Sequence, residues 1–372
     1  MSRPSVAKID LSALRHNFAA AQALAPHSKT MPMVKANAYG HGAVAIAQAL
    51  ADIAPAFGVA CIEEAIELRQ AGINNPILLL EGTFSADEVE LAGQQDLWIM
   101  VENDNQVEAI VTANLAKPIQ VWLGIDTGMH RLGFQLHEAT DAFARLRDSR
   151  NVCTSMVIAS HFASAEDLDN GFTAEQINRF EQVTQEIQNI KGDSSLQFSL
   201  ANSAAILARP ESHRDWNRPG YMMFGYSPFN GQLPVEEHAQ YQKQLKPVMT
   251  LESAVIAVRT IKVGDTVGYN NRWSAEAESK IATVAIGYGD GYPRSAPDGT
   301  PVMINGVRCP LAGRVSMDMI TVDVTHLDTV EIGNTVTLWG PELPVDEIAH
   351  HSGTNGYELL TRMPGRVPRV YV

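Results

Sequence analysis

From Met31 to Phe224 the chain alternates short apolar runs with longer stretches whose apolar residues recur every three or four positions. The runs predict strands at Met31–Lys35, Ala56–Ala60, Pro76–Leu80, Leu97–Val101, Ile119–Gly124, Thr154–Ser160, Leu196–Ala201 and Trp216–Phe224. The periodic stretches predict helices at Ile62–Ala71, Ala86–Gln94, Asn105–Leu115, Glu138–Asp148 and Thr173–Ile190, and AVAIAQAL after Gly42 reads as another. Ser85 to Glu88 and Thr173 to Gln176 carry the capping-box pattern of a helix start. Eight strands alternating with helices predict an α/β fold, a closed parallel (β/α)8 barrel of TIM type. An open doubly wound sheet is the alternative, weakened because no GxGxxG follows the first strand.

Around residues 232–247 the texture changes to short β-rich runs broken by Gly, Asn and Asp. VMTLESAVIAVRTI, KIATVAIGYG, PVMI, VRC, MITVDV and TVTLWG all read as strands, and Asn305-Gly306 between two of them is a two-residue hairpin turn. The expected organisation is a barrel over residues 1–240 and a mainly-β domain over residues 241–372.

Composition narrows the function classes. The 372 residues suffice for two domains, and a net charge of −14 disfavours nucleic acid and anionic membranes as partners. No apolar run approaches a membrane span and MSRPSVAKIDLSALRHNF lacks a signal-peptide core, so a cytoplasmic protein is expected. Cys61, Cys153 and Cys309 form no CxxC, and His350-His351 has no neighbours at ligand spacing, so neither a disulfide framework nor a metal site is expected.

Unusual polar residues gather at one end of the predicted barrel. Lys35 ends the first strand, and Asp126-Thr127-Gly128-Met129-His130-Arg131 follows the fifth. His161 ends the sixth, Asn202-Ser203 ends the seventh, and Arg218-Pro219-Gly220 lies in or beside the eighth. All map to the carboxyl rim, where barrel enzymes carry their chemistry. A lysine there is an amine nucleophile for an aldehyde. Ser203 opening SAAILARP, with the turn near Gly220, suits an anion bound at helix N–H groups, although Ser203 alone is equally a simple cap. Amine and anion cup together fit pyridoxal 5′-phosphate. A Schiff-base aldolase for phosphorylated sugars would need similar parts but accounts less well for Arg218.

With MPMVKANAYGHG, DTGMHRLGF, SHFASAED, LANSAAIL, RPGYMMFG, VGYN, GYGDGYPR, AGRVSMDM and NGYELLTRMPGRVPRVY, the chain resembles the bacterial alanine racemases, pyridoxal-phosphate enzymes of fold type III, over almost its whole length. The resemblance implies that Lys35 carries the cofactor as a Schiff base and acts as one catalytic base. It implies phosphate contacts from Tyr39, Ser203, Tyr357 and the backbone of Gly220 and Tyr221, with Asn202 beside them. Arg218 would face the pyridine nitrogen, with His161 stacked near the ring. Tyr269 would be the second base, and Arg131 with the Met317 backbone would hold the substrate carboxylate. Tyr269 and Met317 would come from the other subunit of a homodimer.

Racemisation removes a proton from one face of the α-carbon and returns one to the other, so two bases must flank it. Lys and Tyr, with ordinary pKa values of about 10.4 and about 10, need lowering by roughly 2–3 units to work near neutrality. A broader amino-acid racemase, and more distantly a non-catalytic cofactor carrier, remain as alternatives. One position departs from the family pattern. Where many members place a carbamylated lysine that props the carboxylate-binding arginine, this chain has Gly124, so Arg131 is expected to be supported by another group, chloride or water.

Overall fold

The computed structural model describes residues 3–191, 196–229 and 235–372, so residues 232–234 of the change in texture lie outside the described residues. The chain divides into two compact units. One comprises Leu14–Ala38 and Ala43–Leu245; the other comprises Met1–Ala13, Tyr39–Gly42 and Lys246–Val372.

The first unit is the barrel. Its strands are Lys29–Thr30, Phe57–Val59, Ile77–Leu79, Leu97–Val101, Val121–Gly124, Val157–Ala159, Gln197–Ser199 and Trp216–Asn217. Successive strands from Phe57–Val59 onward pair in parallel, and Lys29–Thr30 lies parallel beside Trp216–Asn217. A parallel bridge between Met33 and Gly58 completes the ring. The Met33 side chain lies over Gly58 there, its Cε 2.4 Å from where a Cβ would stand. The strands are almost wholly buried, which is why they read as unbroken apolar runs rather than alternating ones. Trp98, Trp122 and Trp216 fill part of this core, with ring centroids 5.6 to 6.3 Å apart.

Helices follow the strands as predicted, at Ile62–Gln70, Ala86–Gln94, Asp104–Thr112, Ala139–Arg147 and Phe172–Lys191, with Ala43–Leu50 after the first strand. Neither expected capping box forms. Ser85 makes no side-chain cap, although Glu88 accepts the Phe84 N–H. Thr173 lies inside its helix and donates its hydroxyl to the Ser164 carbonyl, while Asn170 accepts the Phe172 N–H. The last predicted strand also shortens. After Trp216–Asn217 the chain passes Pro219, which has no N–H for a ladder, and Tyr221–Phe224 forms a 3-10 turn.

The second unit is built on an eight-stranded sheet. Its axis is the long strand Met249–Ile261, which pairs with Val6–Ile9, Ser279–Val284 and Thr335–Trp339. Arg369–Tyr371 adds in parallel to Val6–Ile9, so both termini are tied into one sheet. The Asn305-Gly306 hairpin forms as expected, with Ile304 opposite Val307 and both turn residues at positive φ of 53° and 79°. Among the described residues no helix is long and apolar enough to cross a membrane.

Candidate active site

Within the barrel, the expected strand Met31–Lys35 is reduced to the Met33 bridge, but the Val34 N–H still donates to the Gly58 carbonyl at 2.8 Å, so Lys35 emerges just beyond this bridged segment, five residues after Lys29–Thr30. The next residues do not form a right-handed helix. Ala36, Asn37 and Ala38 take left-handed angles near φ 52–54° and ψ 46–54°, and Tyr39 follows at φ 51°. Such a turn costs L-residues roughly 1–2 kcal/mol each. Glu64 offsets part of that cost, accepting the Ala36 N–H at 2.7 Å with one oxygen and the Ala60 N–H at 2.8 Å with the other. At the far side Asn37 Oδ1 accepts the Ala43 N–H at 2.8 Å, leading into the helix. The strained turn thereby fixes the direction in which Lys35 leaves the strand.

The Lys35 amine is held below its usual pKa. Burial is the main cause; Glu81 and Glu64 oppose it, and the positive charges of Arg131 and Arg218 assist it. Arg218 is itself buried, donating to the Ser199 hydroxyl, to the Ser160 carbonyl at 2.6 Å and to the Leu200 carbonyl at 3.3 Å. Burial lowers its pKa to about 10, which still leaves it charged at neutrality. His161 Nδ1 lies 3.5 Å from the same guanidinium, where it can only accept. Burial, with Arg218, Arg131 and Lys35 adding to it, pushes His161 down to about 3, so the charge of this pair resides on Arg218 alone.

Beyond the seventh strand, Ser203 Oγ accepts two backbone N–H groups, from Gly220 at 2.9 Å and Met222 at 3.3 Å. With its lone pairs so engaged, the buried hydroxyl retains its proton for donation. Asn202 caps the short helix Ser203–Ala208 by accepting the Ala205 N–H at 3.1 Å. Tyr221 is buried, its ring 5.6 Å from Tyr226. Arg131 sits exposed in the loop after the fifth strand. That loop is shaped by Asp126, which accepts the Gly128 and His130 N–H groups at 2.8 and 3.0 Å.

The remaining expected residues belong to the other unit. Tyr39 and Tyr357 approach with ring centroids 6.3 Å apart, and burial raises the Tyr39 phenol to about 12. Tyr269 is 66 % exposed and Met317 53 % exposed. The Met317 carbonyl is held by the Gly289 N–H at 2.8 Å. Sequence reasoning overlooked Glu64, Glu81, Glu102, Ser160 and Ser199. Ser160 and Ser199 directly follow or end barrel strands, so the rim mapping that found His161 could have found them.

The N-terminal domain model of alanine racemases matches residues 9–228 and the C-terminal domain model matches residues 248–371. The chain belongs to the alanine racemase family. It is 48% identical over 371 residues to the alanine racemase of Chromohalobacter salexigens, covering 100% of this chain and 98% of that one. The relative from Pseudoalteromonas atlantica is 46% identical, with both chains covered in full. Among solved structures, the biosynthetic alanine racemase of Pseudomonas aeruginosa superposes with a TM-score of 0.92 at 46% identity, covering 100% of this chain and 99% of that one. That from Acinetobacter baumannii gives 0.90 at 39% identity, with full coverage of both. Family membership thus spans both units.

Proposed function

We propose that this protein interconverts L-alanine and D-alanine with pyridoxal 5′-phosphate as cofactor. The observation that carries the reading is the Lys35 amine, kept by burial below its usual pKa on the rim that also holds the charged Arg218. The donor set fits the cofactor: an amine for its aldehyde, the Ser203 hydroxyl and Gly220 N–H region for its phosphate, and a guanidinium for its ring nitrogen. When bound, the cofactor acidifies the α-proton of an attached amino acid. Tyr39 and Tyr357 would add to the phosphate contacts, together with Asn202 and Tyr221, and His161 would lie against the ring.

Lys35 and Tyr269 then serve as bases on opposite faces of the α-carbon. Lowering a lysine from about 10.4 by roughly 2–3 units corresponds to about 3–4 kcal/mol, and the burial of Lys35 acts in that direction. Because Arg218 keeps its proton, it accepts none from and gives none to the ring nitrogen. A guanidinium that keeps its proton beside the ring nitrogen would restrain electron withdrawal and so favour return of the proton to the α-carbon over its delivery elsewhere. Arg131 and the Met317 backbone hold the substrate carboxylate.

We further read the protein as a cytoplasmic homodimer in which the region 1–240 supplies Lys35 and a second copy's region 241–372 supplies Tyr269 and Met317. The exposure of both residues supports their meeting another chain. Incubation of the holoenzyme with L-alanine in deuterated water should give loss of optical rotation with deuterium at the α-carbon. Absence of both with alanine would overturn the reading.

A further inference from the structure

The fourth barrel strand, Leu97–Val101, ends one residue before Glu102. Val101 lies opposite Leu123 of the fifth strand, which places Glu102 beside Gly124. A Cβ on Gly124 would stand 2.9 Å from Glu102 Cγ and 3.0 Å from its Oε1. Gly124 does not have the positive φ that calls for glycine, so what this position requires is space, and the Glu102 side chain occupies it. Glu102 is anchored at its backbone, whose N–H donates to Gln106 Oε1 at 2.8 Å. The Gln106 amide in turn donates to the Glu81 and Thr83 carbonyls. Its carboxyl tip is not anchored: Oε2 is buried and has no hydrogen-bond partner among the described residues.

A buried carboxyl oxygen without a partner is costly unless a charge compensates it. The charged groups that face Glu102 are Arg131, Glu81 and Arg218. Arg218 already has three oxygen acceptors, in Ser199, Ser160 and Leu200. Arg131 makes no hydrogen bond or ion pair among the described residues. Of the two guanidinium groups, Arg131 is therefore the one without an acceptor to orient it among the described residues.

We propose that Glu102 is the positioning residue for Arg131, its carboxyl filling the space left by Gly124 and holding the guanidinium where it receives the substrate carboxylate. The inference rests on the reading of Arg131 as the carboxylate-binding group. It also replaces the expectation that chloride or water supports Arg131. Burial pushes the Glu102 carboxyl up to about 7 even against the pull of Arg131, so its charge changes near neutrality. As pH rises through that value Glu102 ionises and Arg131 gains its partner. Carboxylate binding should therefore strengthen from pH 6 to pH 8.

The test compares holoenzymes of wild type, Glu102→Gln, Glu102→Asp, Gly124→Ala and the Gly124→Ala/Glu102→Gln pair. Glu102→Gln should raise KM for L-alanine about tenfold with kcat within about threefold, and weaken competitive inhibition by propionate to a similar degree. The rise of log(kcat/KM) between pH 6 and pH 8 should flatten, and Glu102→Asp should restore part of it. Gly124→Ala should reproduce the KM effect by displacing the carboxyl, and the double variant should be no worse than the weaker single one. Unchanged KM and pH profile in Glu102→Gln would overturn the inference, as would additive losses in the pair. If Glu102→Gln does not fold, unchanged KM in Gly124→Ala overturns it alone. A wild-type KM that rises when chloride is replaced by gluconate assigns the support to solvent anion and overturns it too. Wild type that exchanges no α-proton refutes the functional reading instead, a different and separable result.

Discussion

Burial acts on two neighbouring bases with different consequences. For Lys35 it lowers the pKa towards the range a proton-transfer base needs, whereas for His161 it keeps the ring neutral and leaves Arg218 as the local cation. The His161 shift has a stability consequence whose sign is fixed. Between about 3 in the folded chain and 6.5 in the unfolded one, only the unfolded chain binds the proton. Stability should rise with pH across that window and be lost as pH falls below 6.5, by about 1.4 kcal/mol per unit. His161→Gln, which has nothing to titrate, should therefore narrow the loss in denaturant midpoint between pH 7.5 and pH 5.5. An unchanged pH slope in that variant would assign the acid sensitivity to other groups. At this scale Lys35, His161, Ser203 and Arg218 were legible because each is a polar residue at the end of an apolar run. Glu102 was not, since ExDN before a helical pattern reads as a solvated helix start, and its burial depends on an absent side chain on the adjacent strand.

Barrel strands were legible at the scale of elements because burial on both faces leaves continuous apolar runs bounded by polar turns. The same physics explains the error at the eighth strand. A run buried all round carries no period, so a strand of two residues followed by a 3-10 turn looks like one longer strand. The left-handed turn after Lys35 was illegible for another reason. Ala-Asn-Ala-Tyr has no local preference for that conformation, and Glu64, on the helix Ile62–Gln70, overrides the sequence by binding the Ala36 N–H of the turn together with that of Ala60. Glu64→Ala should leave both donors without their partner and cost about 2 kcal/mol, allowing for partial solvent access. The melting temperature should fall by several degrees. Cofactor retention should fall with it, because the direction of Lys35 depends on this turn, while Glu64→Gln, which keeps one acceptor, should be intermediate. A Glu64→Ala variant with normal melting and normal cofactor retention would show that the turn holds itself.

At the scale of the molecule, chain order and spatial order part company. Val6–Ile9 joins a sheet whose other strands begin at Met249, a pairing that no local pattern announces because its partners lie far along the chain. The proposed racemase makes a similar demand one level higher, with Lys35 from one chain and Tyr269 from another completing each site. That arrangement predicts complementation between inactive proteins. Lys35→Ala and Tyr269→Phe homodimers should each be inactive in racemisation, since every site lacks one base. After mixing under conditions that exchange subunits, a mixed dimer would carry one site with both substitutions and one site with neither. Random reassortment makes half the dimers mixed, each with one of two sites intact, so activity should recover to roughly a quarter of wild type. Recovery should depend on exchange, and chemical cross-linking of the parent dimers before mixing should prevent it. Verified mixed dimers without activity would place both bases of each site on one chain, and the exposure of Tyr269 and Met317 would then need another explanation.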